Sequence, residues 1–472
     1  MRNVRKIILC FVAFALVLPS SIFAQAVSTN EAEEHILNQL DRARIPNAAI
    51  AVIQDDDVLY ILKNSDHDTL FQIGSVAKSF TAFGVLLLED MGLLSVSDPI
   101  SKHLPGLHED ITIYNLLHHT SGFTSDERRF PATTSGVVAD DIIWQTAEVE
   151  LAFYPSAEFA YGNLNYVLLG LIIEAVSGQS YDEFMTRQVL HPLGLYNTFT
   201  YPQNARETGR VAGGNRIGFL RPRPHNPPVT PLAVPTGYIY SSIVDMARWV
   251  GIHLGTIEVS EQFARVVERS HRHNHDTENP FAGRGFFYAG GWFVHPRRGE
   301  IEHGGLTPGY STLVSMLHED NTAVVVLSNL CYMAMGSFGS LTLDAVLRDN
   351  FNSVGIDFYV TLDIILTVIT AMGVVSIFML IWLSVSFRKK VVGGEKMKAK
   401  LTAKSVAWLI FPIITIGVLV AFYVYPPIAF DTSWEVVTTF SPASFIWANI
   451  ALWVIVVYSL YFWLVKLFAG HK

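Results

Sequence analysis

The sequence predicts a protein of α/β (α+β) class that is followed by three transmembrane helices. Two observations carry this prediction. Through roughly the first 350 residues, short runs rich in β-branched residues, such as Ala323 to Ser328, alternate with apolar segments of helical spacing. Beyond Asp357 the composition changes to three long apolar runs, each about the length that crosses a bilayer.

Composition narrows the classes of function. The chain has 472 residues, a net charge of −9 and a mean hydropathy of +0.32, which is high for a soluble protein because of the C-terminal runs. No basic run occurs in roughly the first 380 residues, so nucleic acid is not expected as a partner. Of the two cysteines, Cys10 lies in a segment that we expect to be removed, which leaves Cys331 alone. This excludes a disulfide framework and a cysteine metal cluster, and no metal or cofactor is predicted.

Residues 1–26 have the pattern of an export signal. Three basic residues precede an apolar core from Ile7 to Leu18, and Ala24-Gln25-Ala26 fits a cleavage site. An uncleaved anchor helix remains the alternative. We expect a soluble domain at residues 27–355 and a membrane domain at residues 356–472.

The domain is expected to begin with a helix from Thr29. Two β runs, Ala48 to Ile53 and Val58 to Leu62, then flank three aspartates and predict a hairpin. Residues 200–235 are rich in Pro, Gly and Arg, which predicts a long irregular connection over the cleft. A helix over Ser242 to Leu254 follows.

The stretch Phe71 to Thr81 is the centre of the domain. It predicts a strand end, a tight turn at Gly74 and a helix that opens at Ser75. Ser75 and Lys78 are three residues apart and so share one helix face. The serine hydroxyl would lie beside free backbone N–H groups, and the lysine could accept its proton if its pKa is lowered. The alternative is a helix cap beside a solvated lysine.

Histidines occur in two groups that could suggest metal binding. His118 and His119 are adjacent at the end of a predicted short helix, so their side chains point in different directions. We expect them to bond backbone carbonyls. The alternating histidines from His271 to His275 are expected in a solvated loop.

Two further segments carry polar residues at places suited to a cleft. Tyr161 and Asn163 lie at the tip of a loop that leads into an apolar helix, Val167 to Val176. An aromatic staple with a helix cap is the alternative. A predicted strand, 290–295, is followed by His303-Gly304-Gly305, whose glycines would let a substrate backbone lie close to the chain.

Three motifs occur together: Ser75-Val-Ala-Lys78, Tyr161-Gly-Asn163 and His303-Gly304-Gly305. In this order they resemble the serine β-lactamase and penicillin-binding-protein superfamily, with the class C β-lactamase, D-aminopeptidase and esterase branch nearest. The match covers roughly residues 30 to 350. The resemblance implies an antiparallel sheet flanked by helices, with an all-helical lobe and a cleft between them.

The resemblance also implies roles for these residues. Ser75 is the nucleophile, and Lys78 and Tyr161 carry protons. The N–H groups of Ser75 and Leu306 form the oxyanion hole, where each donor contributes roughly 3 to 4 kcal/mol to acyl transfer. The substrate-binding residues that it implies are Asn163, His303, Gly304, Gly305 and Leu306.

Three positions depart from the family pattern. Gly162 stands where Ser or Ala is usual, and Ser156 stands where Gly is common. His303 replaces the usual lysine and weakens a fixed positive charge for a substrate carboxylate. This favours peptidases or esterases whose substrate lacks a free carboxylate there.

The apolar runs predict spans at about 362–387, 406–425 and 445–467. The loop from Arg388 to Lys404 is rich in lysine and should face the cytoplasm, which places the Ser75 domain outside the cell. This agrees with the export signal. The chain is expected in the cell membrane, and the tail leaves homodimer packing open.

The function expected from the sequence is a membrane-anchored serine hydrolase outside the cell. Its substrate would be a D-residue peptide, a small ester or an amphiphilic metabolite. The domain-plus-tail architecture also resembles bacterial peptidases that remove an N-acyl-D-amino-acid group from exported prodrugs. A non-catalytic penicillin-binding or cell-wall-binding protein is the alternative from another class.

Overall fold

The computed structural model describes residues 29–124, 138–274, 277, 285–393, 406–407, 409–429 and 433–468. The predicted export signal, the lysines from 396 to 404 and His275 lie outside the described residues. The chain divides into two compact units. The first comprises Met1–Asn215 and Pro224–Asp357, and the second comprises Arg216–Arg223 and Phe358–Lys472.

The strands that the structure describes are mostly short. They are β1 (Ala48–Gln54), β2 (Asp57–Lys63), β3 (Phe71–Gln72), β4 (Thr198–Phe199), β5 (Asn215–Gly218), β6 (Arg221–Pro224), β7 (Tyr240–Ser241), β8 (Phe287–Tyr288), β9 (Phe293–His295), β10 (Glu300–Thr307), β11 (Tyr310–Leu317) and β12 (Thr322–Ser328).

A seven-stranded antiparallel sheet forms the centre of the first unit. Its order is β2-β1-β12-β11-β10-β9-β8, so the first and last strands of the domain are neighbours. Every residue of β12 is buried, as are six of the seven in β1, so both faces of these central strands are covered. The predicted hairpin at Ala48 to Leu62 and the antiparallel sheet flanked by helices are confirmed.

The structure also describes helices in the first unit. They are α1 (Thr29–Arg42), α2 (Ala77–Asp90), α3 (Ile113–Leu117), α4 (Ala139–Ala147), α5 (Asn163–Ser177), α6 (Tyr181–Phe184), α7 (Pro202–Glu207), α8 (Val234–Gly237), α9 (Ile243–Leu254), α10 (Glu261–Ser270) and α11 (Met335–Arg348).

Helix α2 is the central helix of the unit. Twelve of its fourteen residues are buried, so it is apolar on nearly every side, as a core helix must be. Trp249 of α9 stacks on Phe80 with ring centroids 4.1 Å apart. The Trp249 indole N–H donates to Ser79 Oγ, which fixes α9 against the first turn of α2.

The second unit contains apolar helices. They are α12 (Phe358–Val392), α13 (Ile410–Ala429), α14 (Trp434–Phe440) and α15 (Ser444–Phe468). Two stretches, Phe358–Lys390 and Ser444–Val465, are long and apolar enough to cross a membrane. The middle run, expected as a third span, forms the shorter apolar helix Ile410–Pro426 among the described residues. Two of the three expected spans thus coincide with helices that have the length and hydropathy of a membrane span.

The expectation of an irregular connection at residues 200–235 is wrong in part. Helix α7 begins at Pro202, which suits the first turn of a helix, and β5 and β6 form a hairpin. Residues 216–223 of that hairpin belong to the compact unit of the C-terminal helices.

Two facing histidines predict a loss of stability in acid. His253 Nδ1 and His271 Nε2 are 2.9 Å apart, and burial lowers the pKa of His271 to about 3 and that of His253 well below its usual range. Below pH 6.5 these two histidines therefore bind protons in the unfolded chain but not in the folded chain. We expect the free energy of unfolding to fall by up to about 1.4 kcal/mol per pH unit for each such histidine. Denaturant unfolding from pH 7.5 to 4.5 measures this, and His271→Gln should flatten the slope. A flat wild-type profile would contradict it.

Candidate active site

The turn at Gly74 places Ser75 at the start of α2. Gly74 has φ +53°, the left-handed conformation that glycine adopts at little cost. The predicted helix start at Ser75 is wrong in detail, because Gly74–Val76 form a 3-10 turn and the α-helix begins at Ala77. The Val76 N–H donates to Ile73 O, which tightens this turn. Ser75 is half-buried at the N-terminal end of a buried helix.

Lys78 is fully buried and lies beside the serine. Its Nζ donates to Ser75 Oγ at 3.1 Å, to Asn163 Oδ1 at 2.8 Å and to the carbonyl of Thr236 at 2.7 Å. Three acceptors match the three N–H donors of an ammonium group. The ring centroid of Tyr161 lies 5.0 Å from Nζ. The structure thus brings Ser75, Lys78, Tyr161 and Asn163 together.

Asn163 is the first residue of α5 rather than part of a loop tip, because the helix begins four residues before the predicted start. Gly162 is its N-cap and Tyr161 precedes it. His119 holds this junction. Its Nδ1 accepts from the Gly162 N–H at 3.3 Å and from Asn165 Nδ2 at 2.9 Å.

His119 is itself strained and buried. Its φ is +55°, and its ring lies 4.4 Å from the Tyr161 ring. Burial lowers the pKa of His119 well below its usual range, and the charge of Lys78 adds to this effect. The ring is therefore neutral, and its Nδ1 lone pair fixes the loop that carries Tyr161. The expectation that both histidines bond backbone carbonyls holds for His118 and is wrong for His119.

Two glycines let β10 lie against the serine turn. A Cβ on Gly305 would lie 2.1 Å from Ile73 O, and one on Gly74 would lie 2.4 Å from the Leu306 nitrogen. The Leu306 N–H is therefore close to the turn that presents Ser75. Strand β9 pairs with β10 only at residues 300–302, so the segment from His303 onward has a described ladder partner on one side, β11. Gly304 is exposed there.

His303 is buried and neutral. Its Nδ1 lies 2.7 Å from Gly304 O, and since a carbonyl only accepts, Nδ1 carries the proton. Nε2 lies 3.2 Å from the hydroxyl of Tyr288 and accepts from it. Burial, together with the charge of Lys78, lowers the pKa of His303 to about 3. The third motif thus presents no positive charge at neutral pH.

A model of the Beta-lactamase family matches residues 32–340, about two thirds of the chain. The chain belongs to the beta-lactamase family. Protein flp from Staphylococcus aureus (strain MRSA252) is 30% identical over 325 residues, which cover 64% of this chain and 64% of that protein. The match therefore spans less than two thirds of that relative's length.

Two solved structures agree with this chain in fold. The octameric penicillin-binding protein homologue from Pyrococcus abyssi superposes with a TM-score of 0.60 at 25% identity, and the match covers 72% of this chain and 81% of that one. A class C beta-lactamase gives 0.59 at 16% identity, with 70% and 100% covered. At that identity the likeness shows the fold alone.

One departure from the beta-lactamase-family pattern has a local explanation. Ser156, where glycine is common, has φ +69°. Its N–H donates to the carbonyl of Thr120, and its Oγ accepts from Asn115 Nδ2 at 2.8 Å. These bonds hold a conformation that glycine would adopt without them.

Sequence reasoning missed three residues of this beta-lactamase-family site. They are Thr236, whose carbonyl binds Lys78, His119, which fixes the Tyr161 loop, and Tyr288, which donates to His303. Thr236 is 158 residues from Lys78, and His119 is 43 residues from Gly162, so no local sequence pattern predicts these contacts. The adjacent pair His118-His119 is a signal in the sequence, but the role that it predicts, bonding of backbone carbonyls at a helix end, does not include the contact with the Tyr161 loop. Among the described residues, no group of three or more His, Cys, Asp or Glu is arranged to hold a metal ion.

Replacing His119 by alanine should lower kcat roughly 10- to 100-fold, because the Tyr161 loop loses its buried acceptor. The neighbouring His118 is the control. It is also buried and bonds the carbonyls of Tyr114 and Arg272. His118→Ala should cost similar stability, about 1 to 3 kcal/mol, and leave kcat within a few-fold. Steady-state kinetics and thermal unfolding of both variants measure this. Equal kcat losses would show that His119 has no particular role in the site.

Proposed function

We propose that the chain is a membrane-anchored serine hydrolase that cleaves an amide or ester outside the cell through an acyl-enzyme on Ser75. The observation that carries this proposal is the 3.1 Å contact between Ser75 Oγ and Lys78 Nζ, beside the Leu306 N–H. A hydroxyl, a buried amine and converging backbone donors are the groups that acyl transfer needs.

In the proposed reaction, Ser75 Oγ attacks the substrate carbonyl carbon. The hydroxyl proton passes to Lys78, once that amine has given up a proton, either directly or through Tyr161, whose hydroxyl passes its own proton to the amine as it takes the proton of Ser75. The N–H groups of Ser75 and Leu306 bind the oxygen that becomes negative. When the bond to the leaving amine or alcohol breaks, the same pair returns the proton to it. Water then attacks the ester on Ser75 and regenerates the hydroxyl.

The membrane placement rests on charge and length. Helix α12 carries Arg388, Lys389 and Lys390 close to its C-terminal end, and basic residues beside a span favour the cytoplasmic side. The N-terminal end of α12, which follows the first unit along the chain, would then be outside. Helix α15 supplies a second stretch long enough to cross, and α13 is the candidate for the third span.

The neutral His303 supports a substrate class. A cation at this position would attract a carboxylate next to the scissile bond, and here the Nε2 lone pair already accepts from Tyr288. We therefore favour an amide or ester with no free carboxylate there, such as an N-acyl-D-aminoacyl amide. Lipid-tailed N-acyl-D-amino-acid prodrugs are a special case that a membrane-anchored enzyme would suit.

The test presents the full-length protein in membranes with paired substrates. One member of each pair is an N-acyl-D-dipeptide ending in a carboxamide, and the other ends in a carboxylate; an L-series and an ester series complete the set. We expect cleavage of carboxamides or esters at least tenfold faster than of carboxylates, and none with Ser75→Ala. Cleavage by the Ser75→Ala variant would contradict the mechanism. Faster cleavage of carboxylates would sink the substrate class alone.

The alternative is a non-catalytic binder of penicillin or of the cell wall. A binder would be acylated by a β-lactam or hold a wall fragment without releasing product. Mass analysis of the same reactions separates the two, because an enzyme releases many products per chain.

A further inference from the structure

The turn of the β5–β6 hairpin is strained for its sequence. Its two central residues, Phe219 and Leu220, have φ +52° and +61°. A two-residue hairpin turn with both φ values positive normally carries Asn-Gly or Asp-Gly, and large side chains there are costly. The turn is therefore strained, and it places two apolar side chains at the tip of the hairpin. Both side chains are only half-buried. Strain of this kind points to a function.

Contacts within the second unit hold the strained turn. The two carboxylate oxygens of Asp363 in α12 accept from the Phe219 N–H at 3.0 Å and the Leu220 N–H at 2.6 Å. Ser444 at the start of α15 donates to the same carboxylate. A Cβ on Gly218 would lie 2.5 Å from that of Ala443, so the hairpin and the helix start are in close contact.

Arg216 fastens the other end of the hairpin. Its guanidinium donates to the carbonyls of Thr438 and Ser441 at 3.0 and 3.2 Å, where α14 ends. Carbonyls at a helix C-terminus carry partial negative charge, so this position suits a cation. The segment Arg216–Arg223, called here the 216–223 hairpin, is thus fixed to the ends of three helices.

The length of α12 gives the depth of these contacts in a membrane. Asp363 lies 25 residues before Arg388, which is roughly 38 Å along a helix. The hydrocarbon core of a bilayer is roughly 30 Å thick. With Arg388 at the inner boundary, Asp363 lies among the outer headgroups. Trp434 packs against Tyr423 and Phe445 at this end, as aromatic residues do at a membrane interface.

The hairpin also carries exposed positive charge beside its apolar tip. Arg221 and Arg223 follow Phe219-Leu220 directly, and both side chains are exposed. Arg223 Nε donates to Gly218 O within the hairpin. Among the described residues, neither guanidinium has a carboxylate within ion-pair distance. An apolar tip flanked by cations matches the boundary between acyl chains and lipid phosphates.

We propose that the 216–223 hairpin binds the headgroups of anionic phospholipids in the outer leaflet. Phe219 and Leu220 enter the edge of the acyl layer, and Arg221 and Arg223 bind phosphate oxygens, to which a guanidinium donates two parallel hydrogen bonds. Asp363 holds the tip at that depth. This proposal rests on the membrane placement given above and is independent of the chemistry at Ser75.

The first test measures lipid preference with the full-length protein. Wild type and Arg221→Gln/Arg223→Gln are placed in nanodiscs of phosphatidylcholine and phosphatidylglycerol, and retained lipids are counted by native mass spectrometry. The control, Arg297→Gln/Arg298→Gln, removes the same charge from exposed residues of the first unit. We expect the wild type and the control to enrich phosphatidylglycerol, and the hairpin variant to lose roughly ten- to thirtyfold of that preference. An unchanged preference in the hairpin variant would overturn the proposal.

A second measurement reports the depth of the tip. The wild type has nine tryptophans, so the signal is the fluorescence that F219W adds to it in the same nanodiscs. This added fluorescence should be quenched by lipids brominated near the glycerol end of the acyl chain and protected from aqueous iodide. Quenching by iodide alone would overturn the tip's placement. Protein that stays soluble without any lipid or detergent would overturn the membrane placement as well. Ser75→Ala should give wild-type values in both measurements, so a failure here is distinct from a failure of the hydrolase proposal.

Discussion

Replacing Lys78 by methionine should lower kcat by roughly 10² to 10⁴-fold, the range that a positioned acid or base contributes. The side chains are similar in length, but the thioether can neither hold nor accept the proton of Ser75. Because Lys78 is fully buried, its charge is costly to desolvate, and its loss should change stability little although three acceptors lose their donor. Steady-state kinetics and thermal unfolding measure the two effects separately.

Lys63→Met provides the control for this variant. Lys63 pairs with Asp41 at 2.6 Å, away from the site, so its replacement should leave kcat unchanged. A Lys78→Met variant that keeps more than about a tenth of wild-type kcat would show that proton transfer does not depend on this amine.

Replacing Gly305 by alanine should cost about 2 to 3 kcal/mol of stability and at least ~100-fold in kcat. The added Cβ would lie 2.1 Å from Ile73 O and 3.1 Å from Gly74 Cα, and both are backbone atoms. Relief requires β10 to move away from the serine turn, which displaces the Leu306 N–H from the oxyanion position. Chemical denaturation and kcat measure the two losses.

Its neighbour, Gly304, gives a matched comparison. A Cβ at this position meets nothing within 4 Å, and the residue is exposed. Gly304→Ala should change stability by less than about 0.5 kcal/mol. Similar stability losses for the two variants would contradict the close contact between β10 and the serine turn.

Local patterns predicted much of the site. Gly74 and the helix after it follow from a positive-φ turn before an apolar run, and Ser75 and Lys78 share a face by helical geometry alone. The hairpin at Ala48 to Leu62 follows from alternation around a turn. These features depend on neighbours in sequence, which the sequence displays directly.

Features that depend on distant contacts were not predictable. The sequence shows no reason for Thr236 to accept from Lys78, or for Tyr288 to donate to His303, before the sheet brings the segments together. The 216–223 hairpin is the strongest example. Its composition predicted an irregular loop, and the turn with positive φ values donates two hydrogen bonds to Asp363, which lies 143 residues after Leu220.

The resemblance predicted the family of the chain but not its substrate. His303 was expected to weaken a positive charge, and the structure explains why the charge is absent: the ring is buried near Lys78 and bonded at both nitrogens. Such a conclusion needs distances and burial, which a motif does not contain.

The most direct test of the central claim is to trap the acyl-enzyme or its analogue and find the residue that carries it. Full-length protein would be treated with a fluorophosphonate, analysed by intact-protein mass spectrometry and digested for peptide mapping. We predict one adduct per chain on Ser75, a rate at least ~100-fold lower in Lys78→Met, and no adduct in Ser75→Ala. An adduct on another serine, or an equal rate in Lys78→Met, would contradict the assignment of Ser75 and Lys78 as nucleophile and proton carrier.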